Sequence, residues 1–448
     1  MKRLLIIAAE GLCVTDMAMR AKMAGWTVKA YTKPRKGGEQ DISGRGLVDL
    51  ITDFNEIRTK WLDWADLIYL SDNTRWLDML EPYRLQGYPI LAPGTEAAEM
   101  ELNRATGQKA MKDAGIKIME SKAFSDYDSA IEFVKKHPTF LVSKPSGDAN
   151  KALSYVASDA ADLVYMLTRW KSREDLRKAA RTEGFILQER KYGIEMAVGG
   201  WYGPGGWSQW FYENWEYKKL MDGDLGVATG EMGTLSRMTR KSKLAEQVLL
   251  PIGPMLDKLG YVGYIDNNCI IDKDGPWPME WTMRDGWPTK HNISAHVKNA
   301  DPIQWQLDLL NGRDTMECVE GEICISVVVA LPDFPYSRIT NKDLCGIPVR
   351  GAEDMNHIHL CEVMLGEAPT MVGDKVVMLP GYVTCGDYTM VVTGTGMSIT
   401  AARRSAYQAV EKVKIPNNPF YRLDIGAGRM KKQLPELHKL GYAKGLEY

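Results

Sequence analysis

Twelve consecutive residues, Asp222-Gly-Asp-Leu-Gly-Val-Ala-Thr-Gly-Glu-Met-Gly233, constrain this chain more than any other stretch. They hold three carboxylates and four glycines. Glycine frees the backbone for left-handed torsions and lets a ligand approach bare peptide groups, while Asp222, Asp224 and Glu231 supply acceptors beside them. The pattern predicts a shaped loop, neither helix nor regular strand. An ordinary solvated loop has the same composition, so its meaning depends on what stands before and after it.

At 448 residues the chain exceeds a single core and predicts about three domains. A formal net charge of -2 leaves no general excess of positive charge for a phosphate backbone, so bulk nucleic-acid binding is not expected. The seven cysteines are scattered, odd in number and lack a Cys-x-x-Cys pair, which points to reduced thiols and a cytoplasmic protein. Leu4 to Ala9 is apolar but is cut off by Glu10, too short for a membrane span or a secretory core. It reads as a buried strand.

Up to about residue 100, strand-like runs (Leu4–Ala9, Thr27–Tyr31, Asp66–Leu70, Tyr88–Leu91) alternate with helical ones, which predicts a doubly wound parallel sheet. Ligands of such sheets sit beyond the carboxyl ends of the strands, here Ala9–Gly11 and Ser71–Asn73. Neither place carries Gly-x-Gly-x-x-Gly, and polar strand ends facing water fit equally well. Small and apolar residues at helical spacing from Thr95 to Gly115 predict one linking helix, and Ser125-x-x-Asp128 has the form of a capping box for a helix to His137. The strand Phe140-Leu141-Val142 then delivers Lys144 into the turn Pro145-Ser146-Gly147. An ammonium before a flexible turn suits a polyphosphate, although a lone lysine is more often a surface charge.

Gly184 to Val198 reads as strand, turn, strand, reversing at Gly193. Gln188, Glu189 and Lys191 are spaced to present main-chain groups to an adenine edge, with Glu195 on the ribose hydroxyls; a plain hairpin with exposed charges is the competing reading. Tryptophans between Trp201 and Trp215 are either a packed core edge or a stacking surface. The hairpin Gly263–Asp272 and Pro278–Thr282 places Asn268, Glu280 and Thr282 where side chains alternate onto one face, a set of hard oxygen donors suited to Mg²⁺.

The order of these motifs resembles the ATP-grasp ligases, and among them glycinamide ribonucleotide synthetase (phosphoribosylamine–glycine ligase). The resemblance rests on the 222–233 motif preceded by Lys218-Lys219, on Gly263-Tyr264 leading to Ile271-Asp272, on Leu309-Leu310-Asn311-Gly312-Arg313, on Ala401 to Val413, and on Phe420-Tyr-Arg-Leu-Asp-Ile-Gly426. It implies an α/β (α+β) chain with a doubly wound amino-terminal substrate domain (1–100), an ATP-grasp domain (101–330, hinged lid about 122–188) and a small carboxy-terminal domain (331–448). It further implies a cytoplasmic monomer or homodimer whose partners are small molecules, with no membrane.

Carried over by position, the resemblance puts Lys144 and Arg104 on the ATP phosphates, Gln188, Glu189 and Lys191 at the adenine hinge, and Glu195 on the ribose. It puts Arg284 on the transferred phosphoryl group, Asp222 and Asp224 among the catalytic groups, and Thr229, Gly230, Met232 and Gly233 on the substrate. Glu280, Asn268 and Thr282 would hold Mg²⁺, or Mn²⁺ in its place. The implied reaction activates a carboxylate as an acyl phosphate and transfers it to an amine, releasing ADP and phosphate.

Departures from the pattern are equally informative. Glu280-x-Thr282 replaces Glu-x-Asn, and Asp285-Gly-Trp-Pro-Thr289 replaces Phe-Gly-Asp-Pro-Glu. Three places that would receive a sugar phosphate read Ala8-Ala-Glu-Gly11, Ser71-Asp-Asn73 and Gly386-Asp-Tyr388, which removes donors and adds negative charge. The sequence therefore predicts a ligase acting on glycine or another small amino acid with a divergent amine acceptor, unless Arg403 or Arg404 takes the phosphate. The alternatives are phosphoribosylamine–glycine ligase of purine biosynthesis itself, and an inactive nucleotide-binding relative.

Overall fold

The computed structural model describes residues 1–35, 38–145, 154–336, 342–416 and 418–448. Ser146 and Gly147, the turn expected after Lys144, lie outside them.

Five parallel strands form the amino-terminal sheet in the spatial order Asp49–Ile51, Thr27–Thr32, Arg3–Ala8, Leu67–Leu70, Ile90–Leu91. Leu4, Leu5, Ile6 and Ile7 are all fully buried because separate apolar clusters cover both faces, as a doubly wound sheet requires. The strand order reverses between Arg3–Ala8 and Leu67–Leu70, so Glu10 and Ser71–Asn73 flank the switch point.

The largest element is an eight-stranded antiparallel sheet. Its order is Gly275–Thr282, Gly263–Asp272, Ile194–Gly203, Gly206–Glu216, Gly233–Thr239, Ile323–Ala330, Tyr388–Gly396, Ile358–Leu360. Alternation along the strands divides its faces: Met196, Val198, Trp215, Leu235, Ile265, Cys269 and Trp281 enter the main core. Their neighbours Glu195, Asn214, Glu216, Thr234, Ser236, Asp266 and Asn268 point the other way. The sheet runs across residue 330, taking its last two strands from the carboxy-terminal part. Trp201, Trp210 and Trp215 are buried, so this aromatic cluster is packing rather than a stacking surface.

A four-stranded sheet (Ser121–Phe124, Phe185–Gln188, Val142–Pro145, Tyr155–Val156) carries the helices Tyr127–Lys136, Ala160–Lys171 and Glu174–Thr182 and has its own core around Phe124, Val134, Leu163 and Phe185. Here the structure corrects three expectations. Phe185–Gln188 and Ile194–Gly203 belong to different sheets, so 184–198 is a crossover and not a hairpin. Gly193 is needed there because a Cβ would lie 2.2 Å from the Ile271 carbonyl oxygen. The helix after Ser125 is capped by Asp126, whose carboxylate accepts from Ser129 N (2.8 Å). The single helix expected over 95–115 is two, Thr95–Leu102 and Arg104–Asp113. Asn103 turns extended between them and caps the second, accepting from Ala105 N (3.1 Å) and Thr106 N (3.3 Å).

On the apolar face, Arg237 and Glu213 form a buried pair (Nε to Oε2, 2.7 Å); Ser242 donates to the same carboxylate and Arg237 Nη1 donates to the Lys444 carbonyl. This pins the carboxy-terminal tail to the sheet. Arg237→Met leaves Glu213 charged and unpaired, and urea denaturation is expected to show a loss of about 3–5 kcal/mol, most of it recovered in Arg237→Met/Glu213→Leu.

Candidate active site

The polar face of the large sheet gathers its charges around one ammonium. Lys218 Nζ lies 2.5 Å from Glu195 Oε1 and 2.9 Å from Glu216 Oε2. Burial alone would depress the Lys218 pKa, but Glu216 and Glu195 outweigh it and hold the group well above the usual lysine range. Burial raises Glu195 in turn, and Lys218 and Asn268 bring it below its ordinary value. Asn268 Nδ2 donates to Glu195 (2.7 Å) and to Glu216 Oε2 (3.0 Å), while its buried Oδ1 has no hydrogen-bond partner among the described residues.

Glu280 lies opposite Asn268 in the hairpin, and Thr282 opposite Asp266. Arg104, placed by the Asn103 break, reaches Glu280 (Nη2 to Oε2, 3.0 Å). Lys144 comes from the other side, on the four-stranded sheet. Burial lowers its pKa to about 8, with Arg104 and Lys218 lowering it further and Glu280 and Glu195 pulling it back. Among the described residues it has no ion-pair partner. Lys144, Arg104, Glu195, Lys218, Asn268 and Glu280 therefore share one cleft, although they come from two sheets and a helix terminus.

Two carboxyls lie deeper. Asp266 accepts from Tyr264 OH (2.9 Å) and Asn214 Nδ2 (3.2 Å), yet burial, and then Glu216, raise its pKa to about 7. Glu231 accepts from the Thr234 hydroxyl and is pushed well above the carboxylate range, first by burial and then by Glu216. At the sheet's edge, Arg284 Nη2 stands 3.4 Å from Glu101 Oε1, and Asp285 accepts from Tyr69 OH (2.9 Å) and Lys290 Nζ (2.6 Å). This group joins the large sheet to the amino-terminal one.

The 222–233 segment is more ordered than the expected loop: a short ribbon pairs Lys219–Met221 with Leu225–Ala228. Asp222 Oδ1 accepts from Leu423 N (2.9 Å), Asp224 pairs with Arg422 Nη1 (3.0 Å), and Asp424 accepts from Gly223 N (2.9 Å) and pairs with Arg422 Nη2 (2.7 Å). Both aspartates expected among the catalytic groups thus spend their carboxylates on the carboxy-terminal motif. Arg429 stands 3.5 Å from Asp224 and donates to the Glu216 carbonyl (2.6 Å), linking this clasp to the Lys218 group. Thr229 N donates to the Lys218 carbonyl (2.9 Å). Met232, expected to touch substrate, is fully buried beside Val328 and Tyr388. Gly230 is in the left-handed region (φ 88°), and a Cβ on Gly233 would lie 2.4 Å from the Ser326 carbonyl oxygen.

At the expected hinge, Gln188 is buried and Glu189 pairs with Lys191 (2.7 Å), whose ammonium sits 4.1 Å from the Trp277 ring centre. The amides of Glu189 and Arg190 are already given to the Glu120 and Thr139 carbonyls (2.9 Å each). Lys218, Glu216, Asp266, Arg422 and Arg429 were not among the expected site residues. The spacing of Asn214, Glu216 and Lys218 at every second position was the available signal for the first two.

Residues 103–289 match the family model of the phosphoribosylglycinamide synthetase ATP-grasp (A) domain. The phosphoribosylamine–glycine ligase of Ralstonia nicotianae is 25% identical over 78% of this chain and 80% of its own length, and that of Clostridium acetobutylicum is 23% identical over 95% and 100%. Among solved structures, phosphoribosylamine–glycine ligase from Thermotoga maritima superposes with a TM-score of 0.69 (19% identity, 94% and 100% covered). N5-carboxyaminoimidazole ribonucleotide synthetase, as its ADP complex, superposes with 0.56 (14% identity, 91% and 96% covered). Fold and family match together define an ATP-grasp enzyme, an ADP-forming ligase that makes C–N bonds. Within that class the chain is similar to the glycinamide ribonucleotide synthetases. Enzymes of this type use ATP and a divalent metal. Among the described residues no helix is long and apolar enough to cross a membrane.

The raised Asp266 pKa has a consequence for stability. A carboxyl that holds its proton to about pH 7 in the fold, against 3.8 ordinarily, contributes stability below its ordinary pKa that is lost as pH rises through about 7. Asp266→Asn lacks this slope. Its stability relative to the unsubstituted protein is expected to rise by about 2 kcal/mol between about pH 5 and about pH 7, measured by denaturant melts.

Proposed function

We propose that this protein activates the carboxylate of glycine or another small amino acid with Mg²⁺–ATP and transfers the acyl group to an amine other than phosphoribosylamine. The observation that carries the reading is the single cleft holding Lys144, Arg104, Glu195, Lys218, Asn268 and Glu280.

In this reading Lys144 and Arg104 hold the nucleotide phosphates, Glu195 takes the ribose hydroxyls, and Gln188 to Lys191 border the base. The unpartnered Asn268 Oδ1 and the Glu280 carboxylate are hard oxygen donors that fit Mg²⁺, with Thr282 beside them. Bound there, the metal would supply charge neutralisation for the phosphate oxygens. Arg284 steadies the phosphoryl group during transfer, and Glu101 holds that guanidinium in place. The carboxylate oxygen attacks the γ-phosphorus, ADP leaves, and the acyl phosphate is then open to an amine. Catalysis here is positioning and charge, which is why the residues offered are cations and oxygen ligands with no dedicated nucleophile. Asp222 and Asp224 act through the clasp to Arg422 and Asp424, fixing the loop that places Thr229, Gly230 and the Gly233 amide along the substrate. The four-stranded sheet has its own core and can close as a unit, keeping water from the acyl phosphate.

The divergent acceptor is supported at the amino-terminal strand ends, where Glu10 and Asp72 stand in place of phosphate-binding turns. Arg403 does not compensate: its guanidinium donates to the Ile425 and Leu423 carbonyls.

Incubation with Mg²⁺–ATP, one amino acid and hydroxylamine is expected to yield a hydroxamate with glycine or a close analogue, and Glu280→Ala to reduce it about 10²–10³-fold. Efficient turnover of phosphoribosylamine would overturn the divergent acceptor; no hydroxamate with any amino acid would overturn the ligase assignment. Nucleotide phosphates should also raise the Lys144 pKa from about 8. ADP binding at about pH 8.5 is then expected to take up protons, seen by calorimetry in buffers of different ionisation enthalpy, and Lys144→Gln to abolish the uptake.

A further inference from the structure

Away from the nucleotide cleft, three buried side chains from three parts of the chain meet at one point. Asp16 comes from the helix Thr15–Met23 of the amino-terminal domain, His291 from the helix Thr289–His296, and His359 from the strand Ile358–Leu360 of the large sheet. They are 4%, 2% and 0% exposed. Asp16 Oδ2 lies 3.0 Å from His359 Nδ1 and 3.7 Å from His291 Nδ1, and one ligand atom from each residue lies within 4.8 Å of the other two.

The far nitrogens of the two rings decide what the near ones carry. His359 Nε2 faces Thr393 Oγ1 (2.9 Å), and that hydroxyl donates onward to the His357 carbonyl (3.4 Å), so Nε2 holds the proton and Nδ1 a lone pair. His291 Nε2 faces Cys361 Sγ (3.5 Å), whose thiol donates to the His359 carbonyl (3.6 Å), which gives His291 the same tautomer. Two imidazole lone pairs and a carboxylate oxygen are therefore turned toward one another, three acceptors together.

Arg20 answers this only in part. Its Nε donates to both Asp16 oxygens (2.9 and 3.0 Å), and its Nη2 stands 3.0 Å from His359 Nδ1 while also donating to the Met355 carbonyl (2.7 Å). His291 Nδ1 is left buried with no hydrogen-bond partner among the described residues. An orphaned buried acceptor this near a carboxylate calls for a cation between the two.

We propose that Asp16 Oδ2, His291 Nδ1 and His359 Nδ1 bind a Zn²⁺ ion that fastens these three parts of the chain to one another, with water in the fourth position. Tetrahedral bonds of about 2.1 Å set ligand atoms about 3.4 Å apart, and the two Asp16 distances, 3.0 and 3.7 Å, bracket that value. The outer contacts are those a metal-bound histidine needs: Thr393 and Cys361 hold the remote nitrogens, and Arg20 Nε holds Asp16 Oδ1. Binding takes His359 Nδ1 from Arg20 Nη2, which keeps the Met355 carbonyl. A cavity lined by Asp16, Arg20, Trp287, Lys290 and His291 gives the ion a way in, and the Lys290 ammonium there is already paired with Asp285 (2.6 Å). Imidazole nitrogens favour Zn²⁺ over Mg²⁺, so this centre differs in kind from the oxygen donors Asn268 and Glu280.

The test uses the full chain, stripped with a chelator and titrated with Co²⁺ as the visible stand-in for Zn²⁺, under excess Mg²⁺ to occupy oxygen-donor sites. One equivalent is expected to give the visible bands of four-coordinate Co²⁺ without the intense near-ultraviolet bands of thiolate ligation, and Zn²⁺ to bleach them. Affinity should fall by about 100-fold or more in His291→Gln and His359→Gln and stay unchanged in Glu280→Ala. Zn²⁺ should raise the unfolding temperature of the unsubstituted protein, as an ion joining three parts of the fold must. Proton NMR of the unsubstituted Co²⁺ protein, which depends on no variant folding, should show two solvent-exchangeable hyperfine-shifted signals, one for each Nε2–H. Thiolate bands, fewer than two such signals, no saturable binding, an unfolding temperature indifferent to Zn²⁺, or full affinity in a folded His359→Gln would each overturn the proposal.

Discussion

The arrangement of the active-site cleft depends on Lys218 lying between Glu195 and Glu216. Three carboxyls, those of Glu195, Glu216 and Asp266, project from neighbouring strands onto one face of a sheet, and without a cation among them their mutual repulsion in a partly desolvated site would be costly. Lys218 resolves it unequally. Glu195, which it touches, is held below its ordinary pKa, whereas Asp266, held by neutral donors, keeps its proton to about pH 7. Asn268 donates to both carboxylates, and its Oδ1, on the residue opposite Glu280, is left without a partner among the described residues. The oxygen offered to a metal in the proposed mechanism is thus a by-product of how the charges were neutralised.

The same group extends to the carboxy-terminal motif. Arg429 bridges the Glu216 carbonyl and Asp224, Arg422 ties Asp224 to Asp424, and Asp222 receives the Leu423 amide. Arg422 is almost wholly buried, with its charge matched by two carboxylates. Such a guanidinium holds a glycine-rich ribbon in one shape while leaving its peptide groups available, which is what a loop bordering a reacting acyl group needs. The acids of the 222–233 motif serve the loop's shape first.

At the other end the chain has the fold of the solved structures it resembles. The switch point of the amino-terminal sheet still opens toward Arg284, but Glu10, Asp72 and Glu362 set its charge, and Arg35 is locked between carboxylates. In the proposed reading a different acceptor needs no different fold, because the strand-end residues are carried by the separately buried Leu4–Ile7 core.

The sequence by itself determined the parallel amino-terminal sheet, whose continuous apolar strands have no other way to be buried on both faces. It also determined the two-sided hairpin around Asn268 and Glu280, because a period of two leaves no choice of face. Local chemistry was enough for these. Tertiary structure alone decided that Gln188 and Glu195 stand in different sheets, and that position 193 must be glycine, since a Cβ there would meet the Ile271 carbonyl of a strand about eighty residues away. It also decided where Asp222 and Asp224 point, because their partners lie about two hundred residues further along. The importance of Lys218 was equally hidden. A lysine in a sequence carries no record of the carboxylates around it, and its neighbours Glu195 and Asn268 arrive only when three strands pair in register.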